Sequence, residues 1–126
     1  MPSLQRPLPR PTRSTGAVVN LAAVAAVVLA LCVLYWPVVT IEGPVSWTDK
    51  VVHVLVFAVP TYLVGWALRS VGLAVVIFLV HAPMSELIQH FFLPGRSGDV
   101  WDAVVDVIGV ALAAILLVVR ARRERW

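Results

Sequence analysis

Apolar residues fill four long stretches of this chain, about Ala17–Trp36, Val51–Leu68, Val71–Phe91 and Val100–Val119, with short polar breaks between them. Each stretch meets the ~17–25 residues that a helix needs to cross a bilayer. The third is the least uniform, because His81, Pro83, Glu86, Gln89 and His90 interrupt it. The fourth opens on carboxylates: Asp99, Asp102 and Asp106 fall along one helical stripe, and no further charge comes before Arg120. The breaks are a loop at 37–48 containing Pro37, Gly43 and Pro44, a tight Arg69-Ser70 turn that makes a helical hairpin, and the polar Pro94–Asp99 segment. The pattern predicts an all-α fold, an integral membrane bundle of four transmembrane helices spanning 17–119. A disordered basic tail (1–16, with four prolines and three arginines) precedes it and a basic tail (120–126) follows it.

Composition supports the membrane assignment. Of 126 residues 60% are hydrophobic and 13% charged, with a mean hydropathy of +0.92. A water-soluble domain of this size needs far more polar surface. The first apolar stretch follows Arg6, Arg10 and Arg13 as a secretory signal would. It is longer than the ~7–15 residues of a signal core and no small-x-small cleavage site follows, so an uncleaved first helix is expected. Cys32 is the single cysteine, which excludes an intrachain disulfide and argues against a thiolate metal cluster.

The charges sort by side. With four helices, one side carries Arg6, Arg10, Arg13, Arg69, Arg120, Arg122, Arg123 and Arg125, and the other only Lys50 and Arg96. The positive-inside rule then places both termini in the cytoplasm. The net charge of +3 therefore reflects tails beside anionic headgroups, and nucleic acid is not an expected partner. Trp36, Trp47 and Trp101 fall at the outer interface, as an aromatic belt would. Ala22, Ala26 and Ala30 in the first helix and Gly109 and Ala113 in the fourth offer either a close-packing seam or merely small side chains.

Candidate chemistry gathers at the outer half of the bundle. Asp49, Lys50 and His53 open the second helix. Glu86 and Gln89 sit near the end of the third, and Arg96, Asp99, Asp102 and Asp106 lead into the fourth. Ionisable groups at membrane depth are costly and by default mark function. The structural alternative is glue: polar side chains bonding across helices, or Arg96 neutralising Glu86 or Asp102. His81 reads as structural or cavity-lining, His90 as interfacial, Lys50 as a snorkelling residue that remains a candidate, and Pro60 and Pro83 as kinks. No His-Glu-x-x-His or Gly-x-Ser-x-Gly motif occurs. Asp49, His53, Glu86 and Asp102 could hold a divalent cation, but their spacing matches no closed metal site, so no metal or other cofactor is expected.

The order Asp49-Lys50-x-x-His53-x-x-x-Phe57, Glu86-x-x-Gln89, and Pro94-x-Arg96-x-x-Asp99-x-x-Asp102-x-x-x-Asp106-x-x-Gly109 resembles the VanZ-like membrane protein family over about the last eighty residues. Two positions depart from that pattern: Asp106 stands where an asparagine is expected, adding a charge at depth that needs a partner, and Ala113 where a glycine is usual. The resemblance implies a small multi-pass protein of a bacterial cell membrane, in a family named for teicoplanin-type glycopeptide resistance.

Three functions fit. The first is binding of an envelope lipid or lipoglycopeptide at the outer leaflet, with Arg96 and Lys50 on an anionic headgroup and Asp49, His53, Glu86, Gln89, Asp99, Asp102 and Asp106 around it, influencing glycopeptide susceptibility. The second is an intramembrane enzyme on a lipid-linked envelope precursor, with Glu86 or His53 as acid/base and Asp102 orienting it. The third is a subunit that docks a membrane-protein partner through the polar cluster.

Overall fold

A computed structural model describes residues 13–35, 47–93 and 100–126. They form four helices, α1 (Arg13–Tyr35), α2 (Thr48–Leu68), α3 (Val71–Phe92) and α4 (Val100–Glu124), with no strand among the described residues. All four are long and apolar enough to cross a membrane. Their outward faces carry exposed Leu21 and Val24 on α1, Val80 and Leu87 on α3, and Ile115 and Leu116 on α4, a surface suited to acyl chains rather than water.

The helices outlast their apolar stretches. The first turn of α1 takes in Arg13–Gly16, which the sequence assigns to the leading tail, and α4 runs to Glu124 through most of the closing tail. At the α4 end, Arg120 pairs with Glu124 one turn on at 2.7 Å, and good helix formers carry the backbone past the end of hydrophobicity. Hydropathy marks where a helix is buried in lipid; it does not mark where the helix stops.

Helix α2 is the centre: it touches all three others, most extensively α4, while α3 closes a triangle with them. Helix α1 lies along α2 and only grazes α3. Leu34, Phe57, Phe78, Ala82 and Val110 form the core. The buried line of α1 is Val19, Ala23, Ala30 and Leu34, so of the three alanines noted above only Ala30 is fully inside.

Small residues set the spacing of α4 on α2. A Cβ at Gly109 would stand 2.5 Å from the Val54 carbonyl oxygen and 3.2 Å from the Ala58 nitrogen, so the two backbones meet where no side chain fits. Ala113, a turn further on, is 1% exposed. Towards the other end, a Cβ at Gly65 would collide with Leu117. The Gly109–Ala113 pair is thus a packing seam, the close approach that membrane helices use where water offers no driving force.

The hairpin between α2 and α3 is capped on both sides. Arg69 adopts a left-handed conformation (φ 52°), its N–H bonding to the Trp66 carbonyl at 3.2 Å, while Ser70 N–H bonds to the Gly65 carbonyl at 3.1 Å. This is the Schellman arrangement with arginine in the usual glycine position. The Ser70 hydroxyl then accepts from Leu73 N–H at 3.2 Å and starts α3. Pro60 and Pro83 sit inside unbroken helices. Thr61 donates to the Phe57 carbonyl at 2.5 Å and Ser85 to the Ala82 carbonyl at 2.8 Å, so a hydroxyl beside each proline satisfies nearby backbone.

Replacing Gly109 with alanine forces α4 away from α2. Gly109→Ala is expected to destabilise the folded protein by about 1–3 kcal/mol, the usual cost of overpacking. Gly72→Ala, where a Cβ meets nothing within 4 Å, should be neutral or slightly stabilising. Thermal unfolding of both variants in detergent checks the difference.

Candidate functional site

The up-and-down order of the helices brings the start of α2, the end of α3 and the start of α4 to one end of the bundle. Asp49 and Asp102 lie in the first turns of α2 and α4, where the positive end of each helix dipole favours a carboxylate. Three residues separate Lys50 from His53, so they share a face of α2. That face is turned to α4, the helix held close by Gly109.

Across this contact the charges interlock. The Lys50 ammonium forms an ion pair with Asp102 Oδ1 and stands 3.7 Å from Asp49 Oδ2. His53 Nδ1 makes a 2.8 Å hydrogen bond to Asp106 Oδ1. With the carboxylate ionised, the ring nitrogen is the donor. The other ring nitrogen, Nε2, is 3.8 Å from Asp49 Oδ1 and 3.6 Å from Asp102 Oδ2, beyond hydrogen-bond range of both. Exposure falls steadily along the set: Asp49 is 38% exposed, Lys50 34%, Asp102 12% and Asp106 0%. The cluster is a wedge of charge that opens at the bundle end and closes at Asp106. Asp106 Oδ2 is buried and has no hydrogen-bond partner among the described residues.

Glu86, buried on α3, brings its carboxylate to the same place; donor atoms of His53, Glu86 and Asp106 lie within 4.8 Å of one another. A second set of the same kind joins Asp49, His53 and Asp102. The sequence spacing did not announce either set, because their members come from two or three helices. Gln89 takes another direction: its amide donates to the Leu34 carbonyl at 2.7 Å and ties α3 to the last turn of α1. Arg96 and Asp99 lie outside the described residues, as does Trp36. The partner of Asp102 that the structure does describe is Lys50, on α2.

A second feature adjoins this cluster. A cavity of about 380 Å³ lies between α1, α2 and α3, lined by Ala30, Leu34, Val56, Phe57, Phe78 and His81 among others. His81 is its polar point, hydrogen-bonded through Nε2 to the Tyr35 hydroxyl at 2.6 Å, and its ring lies 5.6 Å from that of Phe57. The sequence leaves His81 as structural or cavity-lining and gives no sign of Tyr35, which no helical spacing connects to it. On α2, Phe57 follows His53 by one turn, so the charged wedge and the apolar cavity are neighbours along one helix.

The opposite end holds a separate clamp that sequence reading also missed. The Arg120 guanidinium lies 3.5 Å from the centre of the Trp66 ring and donates to the Tyr62 hydroxyl at 3.2 Å, besides pairing with Glu124. This joins α4 to α2 by a cation–π contact and a hydrogen bond.

The His53–Asp106 contact should be measurable as a coupling. In a double-mutant cycle of His53→Ala and Asp106→Ala, read by unfolding in detergent, the interaction is expected to contribute about 1–2 kcal/mol, the upper range for side-chain bonds between membrane helices. Additive single effects would show that the two side chains do not act together.

No protein-family model, no curated protein and no solved structure matches this chain, so the functional reading stands on the charged wedge, the cavity beside it and the order of the motifs.

Proposed function

We propose that this protein is a membrane module of the bacterial cell envelope that binds one amphiphile, a lipid or lipoglycopeptide, with its headgroup at the charged wedge and its tail in the neighbouring apolar cavity. The observation that carries this reading is the adjacency on α2. His53 belongs to the wedge, and Val56 and Phe57, within the next turn, line a cavity of about 380 Å³. Binding sites for small molecules are commonly apolar hollows with a few convergent polar groups. The looseness of the α1–α3 contact supports the same reading, since it leaves that cavity flanked by two helices that barely touch. The ordered resemblance to the VanZ-like family adds a cell-envelope setting and a role in glycopeptide susceptibility. The arginine asymmetry supports cytoplasmic termini and hence a wedge at the outer leaflet.

The headgroup assignment changes in one respect from the sequence reading. Lys50 is held by Asp102, so the contact to an anionic headgroup falls chiefly to Arg96. A second reading, an intramembrane enzyme acting on a lipid-linked precursor, draws support from the 2.8 Å His53–Asp106 contact. A carboxylate that orients an imidazole is a frequent arrangement for proton transfer.

Native mass spectrometry of the protein released from mild detergent tests the binding reading. Wild type should retain a defined amphiphile. Ala30→Phe, which fills the cavity, and Arg96→Ala, which removes the headgroup contact, should each lose most of it while keeping their helix content. Retention unchanged in both folded variants would sink the proposal.

A further inference from the structure

Asp49, Glu86, Asp102 and Asp106 set four carboxyl groups beside the one lysine, Lys50, within a wedge that narrows into apolar surroundings. A surplus of this kind at membrane depth calls for a counter-charge.

The geometry shows where one would sit. With Nδ1 committed to Asp106, the lone pair of a neutral His53 is on Nε2, facing Asp49 Oδ1 at 3.8 Å and Asp102 Oδ2 at 3.6 Å. Nε2 and these two carboxylate oxygens are electron-rich, and a cation bound to all three would offset their repulsion. A metal ion bonded at ~2.0–2.2 Å to each donor sets them ~3–3.7 Å apart. Lys50 does not fill that position, because it meets the two aspartates through their other oxygens, Asp102 Oδ1 and Asp49 Oδ2.

We propose that Asp49 Oδ1, His53 Nε2 and Asp102 Oδ2 form a binding site for a divalent cation, with Asp106 as the positioning residue behind the histidine. One imidazole and two carboxylates suit Zn²⁺ or Mn²⁺ better than Ca²⁺, which takes oxygen ligands alone. Three protein donors leave at least one coordination position open on the side of Asp49, the most exposed member. Asp106 supplies what metal-bound histidines usually have, a carboxylate on the far ring nitrogen that fixes the tautomer and strengthens the donor. Its second oxygen is buried without a hydrogen-bond partner among the described residues. A divalent ion would offset the excess of carboxyl groups over Lys50. The site stands whether or not an amphiphile binds beside it.

The test uses the full-length protein in mild detergent, stripped with a chelator and dialysed against Zn²⁺, with bound metal counted by elemental mass spectrometry. Wild type should take up one zinc per chain. Asp49→Asn, at the exposed mouth of the wedge where folding is least at risk, should weaken binding at least ~10-fold through loss of a donor. Asp106→Asn, which removes no donor, should weaken it ~10–100-fold while leaving the stoichiometry at saturation unchanged. Lys50→Met removes a competing positive charge and should bind zinc at least as tightly as wild type. Circular dichroism establishes that each variant is folded. Zinc uptake by wild type no greater than that of a folded Asp49→Asn/Asp102→Asn double variant, with Mn²⁺ behaving the same way, would overturn the proposal and leave a proton on His53 as the counter-charge.

Discussion

The close approach of α4 to α2 at Gly109 is the constraint on which the charged end of this molecule depends. Asp106 lies one turn before that glycine, and His53 directly precedes Val54, whose carbonyl oxygen Gly109 meets. A larger residue at 109 would hold the backbones apart, and a short side chain such as aspartate cannot span the added gap. The same seam, continued by Ala113, keeps Asp102 within reach of Lys50. Close packing of small residues and precise placement of charge are here one feature seen at two levels.

Around that contact the bundle divides its work between its ends. At one end the helix starts of α2 and α4 present carboxylates to Lys50 and His53. At the other, Arg120 rests on Trp66, bonds Tyr62 and pairs with Glu124. Between them the core is aliphatic and aromatic. In a hydrocarbon setting polar groups contribute most when each finds a partner on another helix, and most of these do. Asp106 Oδ2 is one of the atoms that have no hydrogen-bond partner among the described residues.

Much of the architecture was legible in the chain because bilayer thickness imposes a length on every apolar run. The four helices and the Arg69-Ser70 turn could be read from residue type and spacing, whereas Gly109 and Ala113 offered either a seam or merely small side chains until the Cβ clash at Gly109 decided it. The helix ends could not, since Arg120 and Glu124 continue α4 by pairing with each other, a local effect that hydropathy does not register. Membership of the polar cluster was legible for the same reason that charges are rare: Asp49, Lys50, His53, Glu86, Asp102 and Asp106 are nearly all there are within the spans. Their partnerships were not. Whether Asp102 pairs with Lys50, and whether Gln89 faces the carboxylates or the Leu34 carbonyl, depends on the rotation of one helix against another. Rotation is set by packing, and no periodicity along a single helix encodes it. The link between Tyr35 and His81 was hidden in the same way, being a contact between helices 46 residues apart in sequence.

The placement of Asp102 and Asp106 on the final helix also bears on how the chain is made. Proteins emerge from the ribosome N-terminus first, so α2 enters the bilayer with Lys50 and His53 before the α4 carboxylates exist. During that interval the hairpin of α2 and α3 carries Lys50 and His53 with Asp49 and Glu86, but without Asp102 and Asp106. Only when α4 arrives and seats Gly109 against Val54 does the array close. The last helix thus completes the array: a chain cut short before Val100 would lack the Asp106 partner of His53 and the Asp102 partner of Lys50.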